Sequence, residues 1–270
     1  DAVPSITPSY GDFVNGQSST VVSNTACTTV YVRTSNVGSL PATSCSGATA
    51  ANYSFTYTSG SVVIEKKTLT ATASSHSVTY GDAKPTVTPS YDGFVNSQNA
   101  TALTTAPTCD TTYSTTSGFG TVASTCSGGV ATNYSFSFTP GVISVAKKTL
   151  TVTASSHIVT YGDSAPSPTP SYDGWVNSQG VGAITTAPTC TTAYTNTTAV
   201  ASSGIATSCS GGLAANYAFT FVAGAITINA KGVVVTASSP TVTYGDAVPS
   251  ITPSYGDFVN GQSSTVVSNT

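Results

Sequence analysis

The 270-residue chain carries 7 Lys and Arg against 10 Asp and Glu, a net charge of −3, with only 6% of residues charged. Nucleic acid therefore finds no basic patch to hold its phosphates, and no apolar run approaches the ~20 residues of a bilayer span. The start also lacks the basic region and apolar core of a signal peptide.

The first 25 residues, DAVPSITPSYGDFVNGQSSTVVSNT, return letter for letter at 246–270. Looser repetition lies between. The run VTYGD ends at Asp82, Asp163 and Asp246, with Asp1 at the same phase, so the spacings are 81, 81 and 83 residues. TPSY, CSG, NY and a lysine keep step with it, at Tyr91, Cys126, Asn133 and Lys148 in one unit. Two levels of repetition are nested: three related units make a 245-residue super-repeat, which then restarts. The expected domains are 1–66, lacking its first strand; 67–147 and 148–230, each complete; and 231–270, the start of another unit. A continuous array is expected, with strand addition between copies of the chain as the alternative route to a filament.

Taken in chain order, the first chemistry is a cysteine pair, Cys27 and Cys45, followed by Cys109 and Cys126 and by Cys190 and Cys209. Pairs at a fixed phase predict one disulfide per unit, each worth about 3 kcal/mol for a loop of this size. Zinc would need four ligands, and no further His or Cys recurs beside them. Disulfides in turn imply an oxidising, extracellular setting. Next come the sequons, at Asn52, Asn99, Asn133 and Asn196, which are candidate N-glycan acceptors.

Lys67 and Lys148 open segments in which apolar and hydroxyl residues alternate, as in Lys148-Thr149-Leu150-Thr151-Val152-Thr153-Ala154. That is the period of a strand with one buried face. His76 and His157 follow at equal phase, but Pro240 replaces them in the last unit, so a surface role is expected. The Asp of each YGD and the Asp near TPSY read as turn residues. The latter stands last in Tyr10-Gly11-Asp12 and second in Tyr91-Asp92-Gly93, which suits a turn better than a calcium cage. Trp175, beside Asp173, is a candidate sugar platform, yet Phe13 and Phe94 at the same phase point to core packing. Tyr134, Phe136 and Phe138 share one strand face, and Thr139-Pro140-Gly141 before Ile143 and Val145 predicts a hairpin.

No segment has helical spacing with caps. The expected fold is all-β: small Ig-like β-sandwiches of about 81 residues in tandem, with a β-grasp-like module as the alternative. No catalytic constellation recurs. His is missing from one unit, so no Ser-His-Asp set is common to all, and Glu65 is the single glutamate. Lys67, Lys148 and Lys231 could be bonded to Asn52, Asn133 and Asn216, as in some stiffened surface fibres, but no matching catalytic acid is evident. No metal or cofactor is expected.

The run KTLTVTASSHIVTYGDSAPSPTPSYDGWVN at 148–177, followed by TTAPTC, CSG and NYAFTFVAGAITI, resembles the YDG- and MBG-type repeat domains of large bacterial cell-surface proteins. The resemblance covers essentially the whole chain. It implies tandem β-rich modules in secreted, adhesin-like or fibre-forming proteins, without catalytic residues. The expected role is therefore a structural array, an extracellular filament or surface stalk whose partners are copies of itself. The alternative is an adhesin module that binds glycans.

Overall fold

A computed structural model describes residues 2–268. It divides into two compact units, one made of Asp1–Ser77, Lys84–Tyr113 and Thr121–Ser144, the other of Val78–Ala83, Ser114–Gly120 and Val145–Thr270. Among the described residues the only helical elements are single 3-10 turns such as Ala100–Ala102 and Val181–Ala183; all other regular structure is strand.

The repeat 148–230 lies wholly in the second unit and displays the architecture. Its first strand, Lys148–Ala154, is the centre of a three-stranded sheet. One neighbour is Pro170–Asp173, antiparallel, with Thr151 opposite Asp173 and Ala154 opposite Pro170. The other is Tyr217–Val222, parallel, with Lys148 opposite Tyr217 and Thr153 opposite Val222. A second sheet runs in the order His157–Thr160, Gly224–Asn229, Ile205–Ser210, Thr189–Thr192. The two sheets face one another and make a β-sandwich. Val152 and Ala154 of the first pack with Cys209 and Cys190 of the second, and Tyr172 and Phe219 close the cluster.

Alternation explains which side of each strand is buried. Leu150, Val152 and Ala154 are 0%, 0% and 1% exposed, and the threonines between them are half-buried on the other face. Burying an aliphatic side chain of this kind stabilises by about 1.5–3 kcal/mol. Val159, Ile226, Ile228 and Tyr194 form a second cluster, against Tyr161 and Ile205.

The hairpin expected at Thr139-Pro140-Gly141 is not formed, nor is its counterpart at Val222-Ala223-Gly224. Tyr217–Val222 and Gly224–Asn229 belong to different sheets. The chain bends once and continues, so the pair is one long strand that changes sheet. Its parallel neighbour does the same, from Lys148–Ala154 to His157–Thr160. The crossing is tight. A Cβ on Gly224 would lie 2.4 Å from the carbonyl oxygen of Ala154 and 2.6 Å from Oγ1 of Thr207. Thr207, 0% exposed, donates its hydroxyl hydrogen to the Ser155 carbonyl at 2.8 Å. Ser124 makes the same bond to Ser74 beside Gly141. A buried hydroxyl thus satisfies the carbonyl freed where the strand leaves its sheet, as buried polar groups require.

In the first unit the strands Pro89–Asp92, Lys67–Ala73 and Tyr134–Thr139 repeat the three-stranded sheet in the same register, Lys67 opposite Tyr134 and Thr70 opposite Asp92. Leu69, Ala131 and Tyr134 are its buried centre. All six cysteines are paired: Cys27 with Cys45, Cys109 with Cys126 and Cys190 with Cys209. In each case the two residues stand directly opposite in an antiparallel ladder. The bond therefore pins strand register, where a slip of one residue would turn every side chain to the wrong face.

Candidate functional site: the joint between consecutive repeats

Each NY tyrosine is locked into its own repeat in the same way. The Tyr217 hydroxyl accepts from the Val176 backbone N–H at 3.3 Å and donates to Oε1 of Gln179 at 2.7 Å. Tyr134 does so with Val95 and Gln98, and Tyr53 with Val14 and Gln17. An aromatic ring wedges between this tyrosine and that of TPSY. Trp175 lies 5.0 Å from Tyr217 and 5.9 Å from Tyr172, while Phe94 takes the same place between Tyr134 and Tyr91. Edge-to-face pairs of this kind contribute about 0.5–1.5 kcal/mol beyond their buried area. The loop that carries Val176 and Asn177 is thereby held rigid at one end of the repeat.

That end meets the repeat before it. In the second compact unit, Nδ2 of Asn177 donates to the Thr115 carbonyl at 2.8 Å, and Oδ1 of Asn216 accepts from the Phe119 N–H at 2.9 Å. The Tyr80 ring stands edge-on to Tyr217 at 5.6 Å, and its hydroxyl donates to Gln179 at 3.2 Å. Lys147 reaches the Ala214 carbonyl at 2.9 Å with its ammonium over the Phe119 ring. Gly81 forms the floor: a Cβ there would lie 2.6 Å from Val176.

The same joint occurs within the first compact unit. Asn96 donates to the Arg33 carbonyl at 3.0 Å, Asn133 accepts from the Val37 N–H at 2.8 Å, and Lys66 reaches the Ala131 carbonyl at 2.9 Å. It begins a third time after residue 230. Asn260 donates to the Asn196 carbonyl at 2.8 Å, and a Cβ on Gly162 would lie 2.6 Å from Val259. An open cleft of about 660 Å³ borders the joint of the first unit, lined by Arg33, Asn36, Glu65, Lys66, Asn96 and Gln98.

The YGD loop is shaped by its own residues. Asp163 accepts from the Thr160 N–H at 2.8 Å through its side chain, and Asp82 and Asp246 do the same with Thr79 and Thr243. The glycines adopt φ of +92°, +97° and +94° at 81, 162 and 245, a region closed to most side chains. Tyr194 props the loop from inside, donating to the Asp163 carbonyl at 3.1 Å. Burial, together with the Asp163 charge, pushes its phenol above the ordinary tyrosine range. The second acidic position also follows backbone demand. The residue two after the TPSY tyrosine has positive φ in every repeat, whether it is Gly93, Gly174, Asp12 or Asp257.

Other candidate residues fall outside the joint. His76 and His157 are half-buried, each 2.9 Å or less from the hydroxyl of Ser74 or Ser155 two residues earlier. Asn52, Asn99 and Asn196 are exposed, and Asn99 caps the turn Ala100–Ala102. Asn133 differs, because its amide bonds both Val37 and Asn36 across the joint. The lysine that crosses is Lys66, one residue before Lys67, and it ends on a carbonyl rather than an asparagine. Among the described residues no three His, Cys, Asp or Glu gather as a metal cluster, and no helix is long and apolar enough to cross a membrane.

Sequence reasoning missed the joint, although its signal was present. Val-Asn followed by Gln two residues later recurs at 14–17, 95–98, 176–179 and 259–262. Polar residues that recur without a strand period are candidates for contacts outside their own sheet. Comparison with known families identifies a relationship. The model of the MBG domain (YGX type) matches residues 1–63, 69–144 and 150–227, with Tyr80-Gly81-Asp82 and Tyr161-Gly162-Asp163 inside the second and third stretches. No curated protein matches the chain.

Proposed function

Because the chain belongs to the family of MBG domains of YGX type, we propose that it is a non-catalytic structural array, a length of extracellular filament or surface stalk on a bacterial cell. The observation that carries this reading is the parallel pairing of the first and last strands of a repeat. Lys148 stands beside Tyr217, the start of the last strand, and Thr160 beside Asn229, its end. The chain therefore comes into the repeat at one end and leaves it at the other, with the next repeat following directly. The span from Lys148 to Thr160, at ~3.3 Å per residue, gives roughly 40 Å of advance per repeat. A disulfide in every repeat suits an oxidising exterior, and the recurring joint resists bending between neighbours.

The test is electron microscopy of native fibres and of the purified chain. Rods with an axial rise of roughly 40 Å per repeat are expected; rounded particles of the same mass would overturn the reading. An adhesin role is less well supported, since Trp175 is wedged between two tyrosines rather than displayed. Glycan-array binding that disappears in Trp175→Ala would favour it. Asn52, Asn99 and Asn196 remain proposed glycan acceptors, whereas a glycan on Asn133 would compete with the joint.

A further inference from the structure

The loop that carries the joint asparagine is a tight turn whose chemistry differs between repeats. Val259-Asn260-Gly261-Gln262 closes with the Gln262 N–H donating to the Val259 carbonyl at 3.1 Å, and Asn260 and Gly261 have φ of +56° and +71°. The loops at 95–98 and 176–179 make the same turn, but serine follows the asparagine there, with φ of +58° at Ser97 and +56° at Ser178. A serine held in the left-handed region is strained, whereas glycine is at ease in it. The glycine that relieves the strain also opens the backbone to chemistry. Of all the asparagines in the sequence, only Asn15 and Asn260 precede glycine, which has no Cβ to shield its backbone nitrogen. Asn15 makes the same turn, with φ of +58°, +71° at Gly16 and a bond from the Gln17 N–H to the Val14 carbonyl at 3.1 Å. Both asparagines are exposed to water.

We propose that Asn260-Gly261, with the identical Asn15-Gly16, is a self-modifying site whose reaction loosens the hold of one repeat on the next. The Gly261 nitrogen gives up its proton to base and attacks Cγ of Asn260. A new C–N bond closes a cyclic imide, the side-chain nitrogen leaves as ammonia with that proton, and one water then opens the ring. Opening at the side-chain carbonyl leaves aspartate. Opening at the backbone carbonyl leaves isoaspartate, in which the main chain runs through Cβ. Either product carries one further negative charge and a carboxylate that only accepts hydrogen bonds. The consequence falls on the joint. Nδ2 of Asn260 donates to the Asn196 carbonyl at 2.8 Å; the product sets oxygen against oxygen, and the bond is lost. The same bond also governs the rate. Imide closure needs the side chain turned back onto its own backbone, while the joint holds it on the preceding repeat and the turn holds the backbone. The site therefore reacts when the joint opens, and the product keeps the joint from closing as before. Asn96 and Asn177 make the same kind of bond, to the Arg33 and Thr115 carbonyls, without a following glycine. Those joints are chemically durable.

The test is peptide mapping of the purified 270-residue chain during incubation at neutral and mildly alkaline pH. Cleavage after Arg33 and Lys231 separates the two identical segments. Exchange of amide for acid is expected at Asn260 and Asn15, faster as pH rises, with isoaspartate detected by enzymatic methylation of its carboxylate. Asn96 and Asn177 should stay amides. Gly261→Ser, which copies the loop of Asn177-Ser178, should stop the exchange at 260 and leave it at 15. Gly162→Ala, whose Cβ would press on Val259 at 2.6 Å, should speed the exchange severalfold at 260 alone. Asn260→Asp makes one product directly and should raise protease cleavage within 231–268 severalfold, since cleavage follows the population of the open form. A chain that keeps its amide at 260, while a synthetic peptide of residues 256–264 loses it, overturns the proposal. Equal exchange at Asn96 and Asn177 does the same. An Asn260→Asp chain cut no faster than the unchanged one overturns the loosening of the joint.

Discussion

The strands Lys148–Ala154 and Val234–Ala237 fall at the same phase of the repeat, and both carry aliphatic residues and end in Thr-Ala. Val152 is 0% exposed in the first and its counterpart Val235 is 61% exposed in the second. The difference lies in company. The first strand is flanked on both sides and covered by a second sheet; the second has one flanking strand. β-propensity is enough to make Val234–Ala237 extended, but burial comes from partners far away in sequence, such as Tyr217 beside Lys148. Each repeat is thus closed by the pairing of its two ends, a contact of long sequence separation.

The most severe way to break that comparison is to block the change of sheet. In Gly224→Val, the new Cβ would stand 2.4 Å from the Ala154 carbonyl, with backbone on two sides. A destabilisation of about 3 kcal/mol or more is expected, read as loss of protease resistance and of a thermal transition in repeat 148–230. Gly232→Val is the matched control. Nothing lies within 4 Å of its Cβ position, and it stands outside the strand Val234–Ala237, so no loss is expected there.

A milder pair of changes measures burial itself. Val152→Ala removes two buried carbons from a fully packed position and should cost about 2 kcal/mol. Val235→Ala, at an exposed position, should stay within about 0.5 kcal/mol. Chemical denaturation of each variant checks the ratio. Equal effects would mean that the tail strand is as covered as the internal one.

Much of this was legible in the sequence. The period of the repeat, the lysine at which strands begin, the all-β class and the buried alternation of Leu150 and Val152 all follow from local pattern. What was illegible depended on distant partners. Ala223-Gly224 reads as a hairpin turn because a short apolar run, a small-residue break and a second apolar run look alike whether the strands pair or part. Only the crowding of Gly224 by Ala154 and Thr207, far back in the chain, distinguishes the two. The Asn and Gln residues of the joint likewise looked like ordinary surface, because their partners belong to another repeat. Asp12 and Gly93 were traced correctly to turn chemistry, since backbone conformation is a local demand.

The smallest expected effect isolates the joint. Gly162 and Gly245 share the YGD loop and nearly the same backbone, φ of +97° and +94°, so replacing either with Ala incurs the same left-handed strain of about 1–2 kcal/mol. Their surroundings differ. The Cβ at 162 would meet Val259 at 2.6 Å, whereas the one at 245 meets nothing within 4 Å. Gly162→Ala should therefore cost more than Gly245→Ala, by about 1 kcal/mol if the side chain of Val259 can shift. The excess is a property of the joint alone, because strain cancels in the difference. A double variant, Gly162→Ala with Val259→Ala, should recover most of it, as coupled neighbours do in a mutant cycle. If the two glycine variants unfold alike, the loop does not bear on the following repeat. Flexibility at that point would then be set by the asparagine bond from Asn260 to the Asn196 carbonyl.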